Sequence, residues 1–118
     1  MSQPVLFASR DTLLLSTRTS FLRRAGFMTL RIHDLSVMAS MARFGDFRTL
    51  VLDHTISAKE QQTIIGKLQE VSALFHIICV RTRGVPSHAI VRECKACDED
   101  NRRGGIHMLE NGPVLLSR

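Results

Sequence analysis

The sequence predicts an α/β domain built on a doubly wound parallel sheet of about five strands. Short apolar runs at 4–8, 49–52 and 76–80 are bounded by polar or turn residues, as buried strands are. Between them lie helix-length stretches that begin with capping residues, an alternation that gives βαβ units with right-handed crossovers. Asp53 closes the run Thr49-Leu50-Val51-Leu52, placing a carboxylate where an interior strand ends. Open α/β sheets gather their ligands at that edge. An acid there serves as a phosphoacceptor, a metal ligand or a cap for a neighbouring loop amide.

In chain order, residues 4–8 form the first strand and Asp11 or Thr12 caps a helix carrying Leu14, Phe21, Leu22 and Ala25. Gly26 is its stop, in the place of a left-handed cap. Residues 27–32 alternate enough for a second strand. Asp34 or Ser36 opens a short second helix with Val37, Met38, Met41 and Ala42, ending near Gly45. Strand three is 49–52, and Ser57 caps a third helix holding Ile64, Ile65, Leu68 and Val71. Strand four, 76–80, is continuously apolar and so buried on both faces, with Cys79 as a core residue. Residues 89–96 are helical, 97–105 a polar loop, 106–109 a fifth strand, and Asn111-Gly112-Pro113 a turn.

With 118 residues, the chain is expected to form one domain. Its start lacks a basic leader region and no apolar run nears the roughly 20 residues of a membrane span, so the cytoplasm is the expected compartment. Three cysteines, an odd number, argue against a secreted disulfide scaffold. The formal charge of +5 raises nucleic-acid binding, but the arginines are scattered and neither Trp nor Tyr is present to stack on bases. They read as solvated surface, and direct nucleic-acid contact is not expected.

The order of elements and the placement of Asp53 resemble the receiver domain of bacterial response regulators, a flavodoxin-like fold. The resemblance runs from about Pro4 to Val80. It rests on Ser9-Arg10-Asp11, Leu14, Phe21-Leu22, Gly26-Phe27 and the strand ending in Asp53. In that family an acidic pair holds Mg²⁺, an Asp attacks phosphorus, a Thr or Ser and a Lys bind the phosphoryl oxygens, and an aromatic reports the switch. Here Asp53 takes the acceptor position. Ser9 and Arg10 replace the acidic pair, with Asp11 one place late. Arg81 and Thr82 fall where the switch hydroxyl belongs, Glu110 and Asn111 where the Lys belongs, and His107 where the aromatic belongs. A hydroxyl and a cation do not assemble a hard-cation site. The pattern is that of a degenerate receiver, or pseudo-receiver, with the Arg10 guanidinium as a candidate counter-charge for Asp53; a solvent-exposed Arg10 is the alternative.

The resemblance implies a regulatory domain in signal transduction that acts by protein–protein interaction, without Mg²⁺-dependent aspartyl phosphorylation. One alternative is a phosphorylatable receiver with acceptor Asp53. Another, of a different class, is a small regulator stabilised by zinc or associated with nucleic acid. For the latter, Cys94-Lys95-Ala96-Cys97 with His88 and His107 offers a His₂Cys₂ set. A lone C-x-x-C is weak evidence, and neither metal nor cofactor is expected. No enzyme is expected either: His33 and His54 lack a glycine-elbow Ser or a Gly-rich phosphate loop, and adjacent residues on a strand point to opposite faces, so Asp53 and His54 need not cooperate. A protein partner, or self-association, is expected on the face after strand four. There a missing final helix would leave Ile106, Leu109, Val114, Leu115 and Leu116 partly uncovered.

Overall fold

The computed structural model describes residues 4–43, 45, 47–99 and 104–110. Five parallel strands, β1 (Val5–Ala8), β2 (Thr29–Ile32), β3 (Thr49–Leu52), β4 (His76–Val80) and β5 (Gly105–Leu109), lie in the order β2-β1-β3-β4-β5. The helices are α1 (Thr12–Arg24), α2 (Met38–Arg43), α3 (Ala58–Val71) and α4 (Ser87–Glu99). This is the α/β, flavodoxin-like arrangement expected from the sequence. β1, β3 and β4 are buried at every position, which is why they read as unbroken apolar runs. In register, Val5 pairs with Thr49 and Leu52 with Cys79, so the tips of β1, β3 and β4 end together.

Local chemistry sets the boundaries. Asp11 caps α1, its Oδ1 accepting from the amides of Leu13 and Leu14 at 3.0 and 3.1 Å. Gly26, at φ +97°, ends α1 in a conformation that a side chain would strain. Asp34 caps a 3₁₀ turn, Leu35–Val37, that precedes α2, so the second helix proper starts later than expected. β2 is shorter than expected, beginning at Thr29. Ser57 and Glu60 form a capping box at the start of α3.

α4 departs most from expectation. It runs on through Cys97, Asp98 and Glu99, residues read from the sequence as loop. Ile90, Cys94 and Cys97 make one buried stripe at i, i+4 and i+7, and that spacing carries the helix past its acidic end.

Its side of the sheet is also unexpected. Ile90, Cys94 and Cys97 share a core layer with Leu15 and Leu22 of α1, whereas α2 and α3 bury Met38, Ala42, Ile65 and Leu68 on the other face. β4 to β5 steps along the sheet in the same direction as β3 to β4, yet α4 and α3 lie on opposite faces. The fourth crossover therefore has the opposite hand to the other three, against the right-handed rule. The result is two helices per face, α1 with α4 and α2 with α3, which covers both sides of a sheet buried at its centre.

That exchange decides which side of β5 is bare. Leu109 packs against the α1/α4 layer and stays only partly buried. Ile106 and Met108 face the other way and remain 42% and 47% exposed. Val114, Leu115 and Leu116 lie outside the described residues. The approach to β5 lies against the segment between α3 and β4: a Cβ on Gly104 would collide with the carbonyl oxygens of Ala73 and Phe75, so only glycine fits there.

Candidate functional site

The tips of β1 and β3 bring Ser9 and Asp53 together, although 44 residues separate them. Both are fully buried. Ser9 Oγ donates to Asp53 Oδ2 at 2.8 Å, and Thr55 Oγ1 donates to the same oxygen at 3.0 Å. Ser9 Oγ in turn accepts from the Asp11 amide at 3.1 Å, and Thr55 Oγ1 from the Arg10 amide at 2.9 Å. The loop after β1 is thus stitched through two hydroxyls onto one carboxylate. Hydrogen bonds to a charged acceptor contribute about 1.5–3 kcal/mol each, so this cluster is a strong local restraint.

Asp53 Oδ1 is differently placed. His54 Nδ1 lies 3.1 Å from it, but neither atom makes a well-aligned hydrogen bond. Strand alternation, which would have turned the two side chains to opposite faces, does not separate them here. Both lie beyond the last residue of β3, where strand alternation no longer applies.

Arg10 takes the solvent-exposed alternative. Arg10 forms an ion pair with Glu60 at the start of α3, and both side chains are half-exposed. Ser57, first through its backbone amide, and Arg10 hold the Glu60 carboxyl below its ordinary value. That contribution is complete above the unfolded carboxylate range and is lost as pH falls through the lowered value.

Arg18, on the buried stripe of α1 and only 6% exposed, lies near enough for the Asp53 charge to act on it. Burial lowers the Arg18 guanidinium from its ordinary value, and the negative charge of Asp53 opposes that shift. Arg18 Nη1 donates to Ser87 Oγ at 3.2 Å, tying α1 to the start of α4. Arg18 is therefore not part of a solvated arginine surface. Gln61 completes the edge: its Nε2 faces the carbonyls of Asp53, Ile56 and Val80 at 3.1, 3.2 and 3.3 Å.

The other predicted positions scatter. Asp11 caps α1 through Oδ1. The Arg81 amide donates to Leu109 O at 2.9 Å, which holds the end of β5, and Thr82 lies in the following turn, its carbonyl accepting from Val85 at 3.5 Å. Glu110 is exposed just past β5, and Asn111 is outside the described residues. His107 pairs in register with Ile78, two residues short of the strand tip at Val80, so it belongs to another part of the sheet.

The predicted zinc set also comes apart. His88 is exposed in the first turn of α4, while Cys94 points into the core, where burial pushes its thiol well up. Cys97 and His107 do meet, but beside His76.

Thr55, Gln61 and Arg18 are the residues that sequence reading missed. Arg18 had a signal, lying three residues after Leu15 and four before Leu22 on the apolar stripe of α1. No known family model matches this chain, and neither does any curated protein or solved structure. Among the described residues no helix is long and apolar enough to cross a membrane.

Proposed function

We propose that the chain is a signal-transduction regulatory domain of pseudo-receiver type, acting through protein–protein contact without Mg²⁺-dependent phosphorylation of Asp53. The observation that carries this reading is the engagement of one Asp53 oxygen and the burial of the whole side chain. Its Oδ2 is occupied by the Ser9 and Thr55 hydroxyls, and the whole side chain is shut from solvent. In-line attack on a phosphorus needs a carboxylate oxygen that the donor can reach. Mg²⁺ is usually held by one or two carboxylates plus waters, and the residue beside Asp53 supplies a neutral hydroxyl instead. The nearby acids are engaged elsewhere, Asp11 in a cap and Glu60 with Arg10.

Intact-mass measurement after incubation with acetyl phosphate and Mg²⁺ is expected to show no adduct. A Mg²⁺-dependent phosphoryl adduct that disappears in Asp53→Ala would return Asp53 to the role of acceptor.

Partner contact is assigned to β5. It is an edge strand, and Ile106 and Met108 form an apolar pair on the face that α4 leaves uncovered. Sedimentation velocity over a concentration series is expected to show self-association that Met108→Asp weakens. A strict monomer throughout the series would remove self-association and leave a different protein as the partner.

A further inference from the structure

We infer that His76, Cys97 and His107 form a binding site for a borderline transition-metal ion of the Zn²⁺ class. The site stands apart from Asp53, on the α1/α4 face and toward the opposite end of the sheet. His76 opens β4, His107 lies on the neighbouring β5, and Cys97 is in the last turn of α4. One donor atom from each of the three residues lies within 4.8 Å of those of the other two.

The separations are those a metal imposes. With Zn–N near 2.05 Å and Zn–S near 2.3 Å, a tetrahedral centre spaces two nitrogens by about 3.3 Å and a nitrogen and sulfur by about 3.6 Å. His76 Nδ1 and His107 Nε2 are 3.2 Å apart, and Cys97 Sγ is 3.6 Å from His107 Nε2. Closing the third edge to the tetrahedral value asks for about an ångström of movement at most.

The other ring nitrogen of His107 is also held. Glu93, one turn before Cys97 on α4, places Oε2 3.0 Å from His107 Nδ1. A proton on Nδ1 shared with that carboxylate leaves Nε2 with a single lone pair. A cation among the three takes one lone pair from each, with the Cys97 thiol proton released to solvent and each imidazole keeping one ring N–H. A carboxylate on the far nitrogen of a ligating histidine fixes its tautomer and raises its basicity, which is the part Glu93 takes.

The donor set defines the ion. Two imidazoles and a thiolate suit Zn²⁺ and its neighbours in the first transition row, and an N₂S set without oxygen does not suit Mg²⁺ or Ca²⁺. His76 and Cys97 are buried while the His107 side chain is 29% exposed, which gives the ion an entry path. Gly105, opposite His76 in register, brings no side chain into the space toward which His107 Nε2 points. A bound ion would clasp the end of α4 to β4 and β5 across the crossover of unusual hand, so loading should stabilise the fold.

The test uses Zn²⁺ as its chloride, and Co²⁺ as a spectroscopic stand-in, on the full chain stripped with chelator. One equivalent of Zn²⁺ is expected by elemental analysis after dialysis, with a thiolate-to-cobalt charge-transfer band for Co²⁺ and a raised melting temperature. Cys97→Ser and His107→Gln should abolish the band and the uptake. Glu93→Gln, which removes no ligand, should weaken Zn²⁺ binding about 10–100-fold. Cys94→Ser and His88→Gln should leave both unchanged. Absence of uptake, or a stoichiometry and band that survive Cys97→Ser, would overturn the assignment. This inference does not depend on the role of Asp53, and neither result bears on phosphorylation.

Discussion

Replacing Gln61 by leucine is expected to lower the folding free energy by about 3 kcal/mol, a large loss for a residue that is neither charged nor part of the apolar core. Leucine nearly matches glutamine in size, so little cavity opens and the loss is electrostatic. Gln61 is buried to 1% exposure, and its Nε2 faces the carbonyls of Asp53, Ile56 and Val80. Those oxygens belong to the residue after β3, to the turn before α3 and to the tip of β4. Two amide hydrogens shared among them fix the edge on which Asp53 sits. A buried acceptor that loses its donor costs about 1–3 kcal/mol, and at least two would do so together. Gln61 Oε1 has no hydrogen-bond partner among the described residues, so removing it offsets part of the loss. Urea unfolding with linear extrapolation measures the difference. A change below about 1 kcal/mol would mean that water replaces the amide and that Gln61 is not the tie.

The contrast between Gln61 and Asp53 shows what the sequence made legible. Asp53 stood out because it ends an unbroken apolar run, and buried central strands are the clearest local signal in this fold. β3 and β4 were therefore readable almost to the residue. Gln61 lies four residues before Ile65 on the buried stripe of α3, a spacing that puts it inward but does not say what its amide meets. Its role arises from the meeting of β3 and β4, which is a tertiary fact. The same holds for Ser9: its hydroxyl type was read as a missing metal ligand, and its bond to Asp53 depends on the pairing of β1 with β3.

α4 was harder for a different reason. Its acidic end, Cys97-Asp98-Glu99, resembles loop in composition, and the face it covers depends on the hand of a crossover. Local sequence does not encode that hand. Consequently His76 was absorbed into a strand, and the cysteines were grouped by their spacing in sequence. In space, Cys94 turns to the core and Cys97 to His107. The reading of α3 was easier, because Ser57 marks its start and Ile65 and Leu68 its buried stripe.

Ser9→Asp is expected to have the largest effect of all, a loss of about 3–5 kcal/mol at neutral pH in Mg²⁺-free buffer. Ser9 Oγ lies 2.8 Å from Asp53 Oδ2 in a site closed to solvent. A carboxylate there would replace a donor with an acceptor and set two negative charges in contact. The buried Arg18 feels the charge of Asp53 but donates to Ser87, and Arg10 is paired with Glu60. Two carboxyl groups so close do not both ionise cheaply, so one is raised in pKa and keeps its proton. The deficit should accordingly grow as pH rises and shrink as pH falls, because a shared proton relieves the repulsion. Mg²⁺ relieves it too, since two carboxylates around one cavity are the hard oxygen set that the parent lacks. Melting temperature should therefore rise with Mg²⁺ in Ser9→Asp, remain flat in the parent, and lose its Mg²⁺ response when Asp53→Asn is added. A Ser9→Asp variant as stable as the parent and indifferent to Mg²⁺ would show that the new side chain avoids Asp53. The tips of β1 and β3 would then not be locked together through the serine hydroxyl.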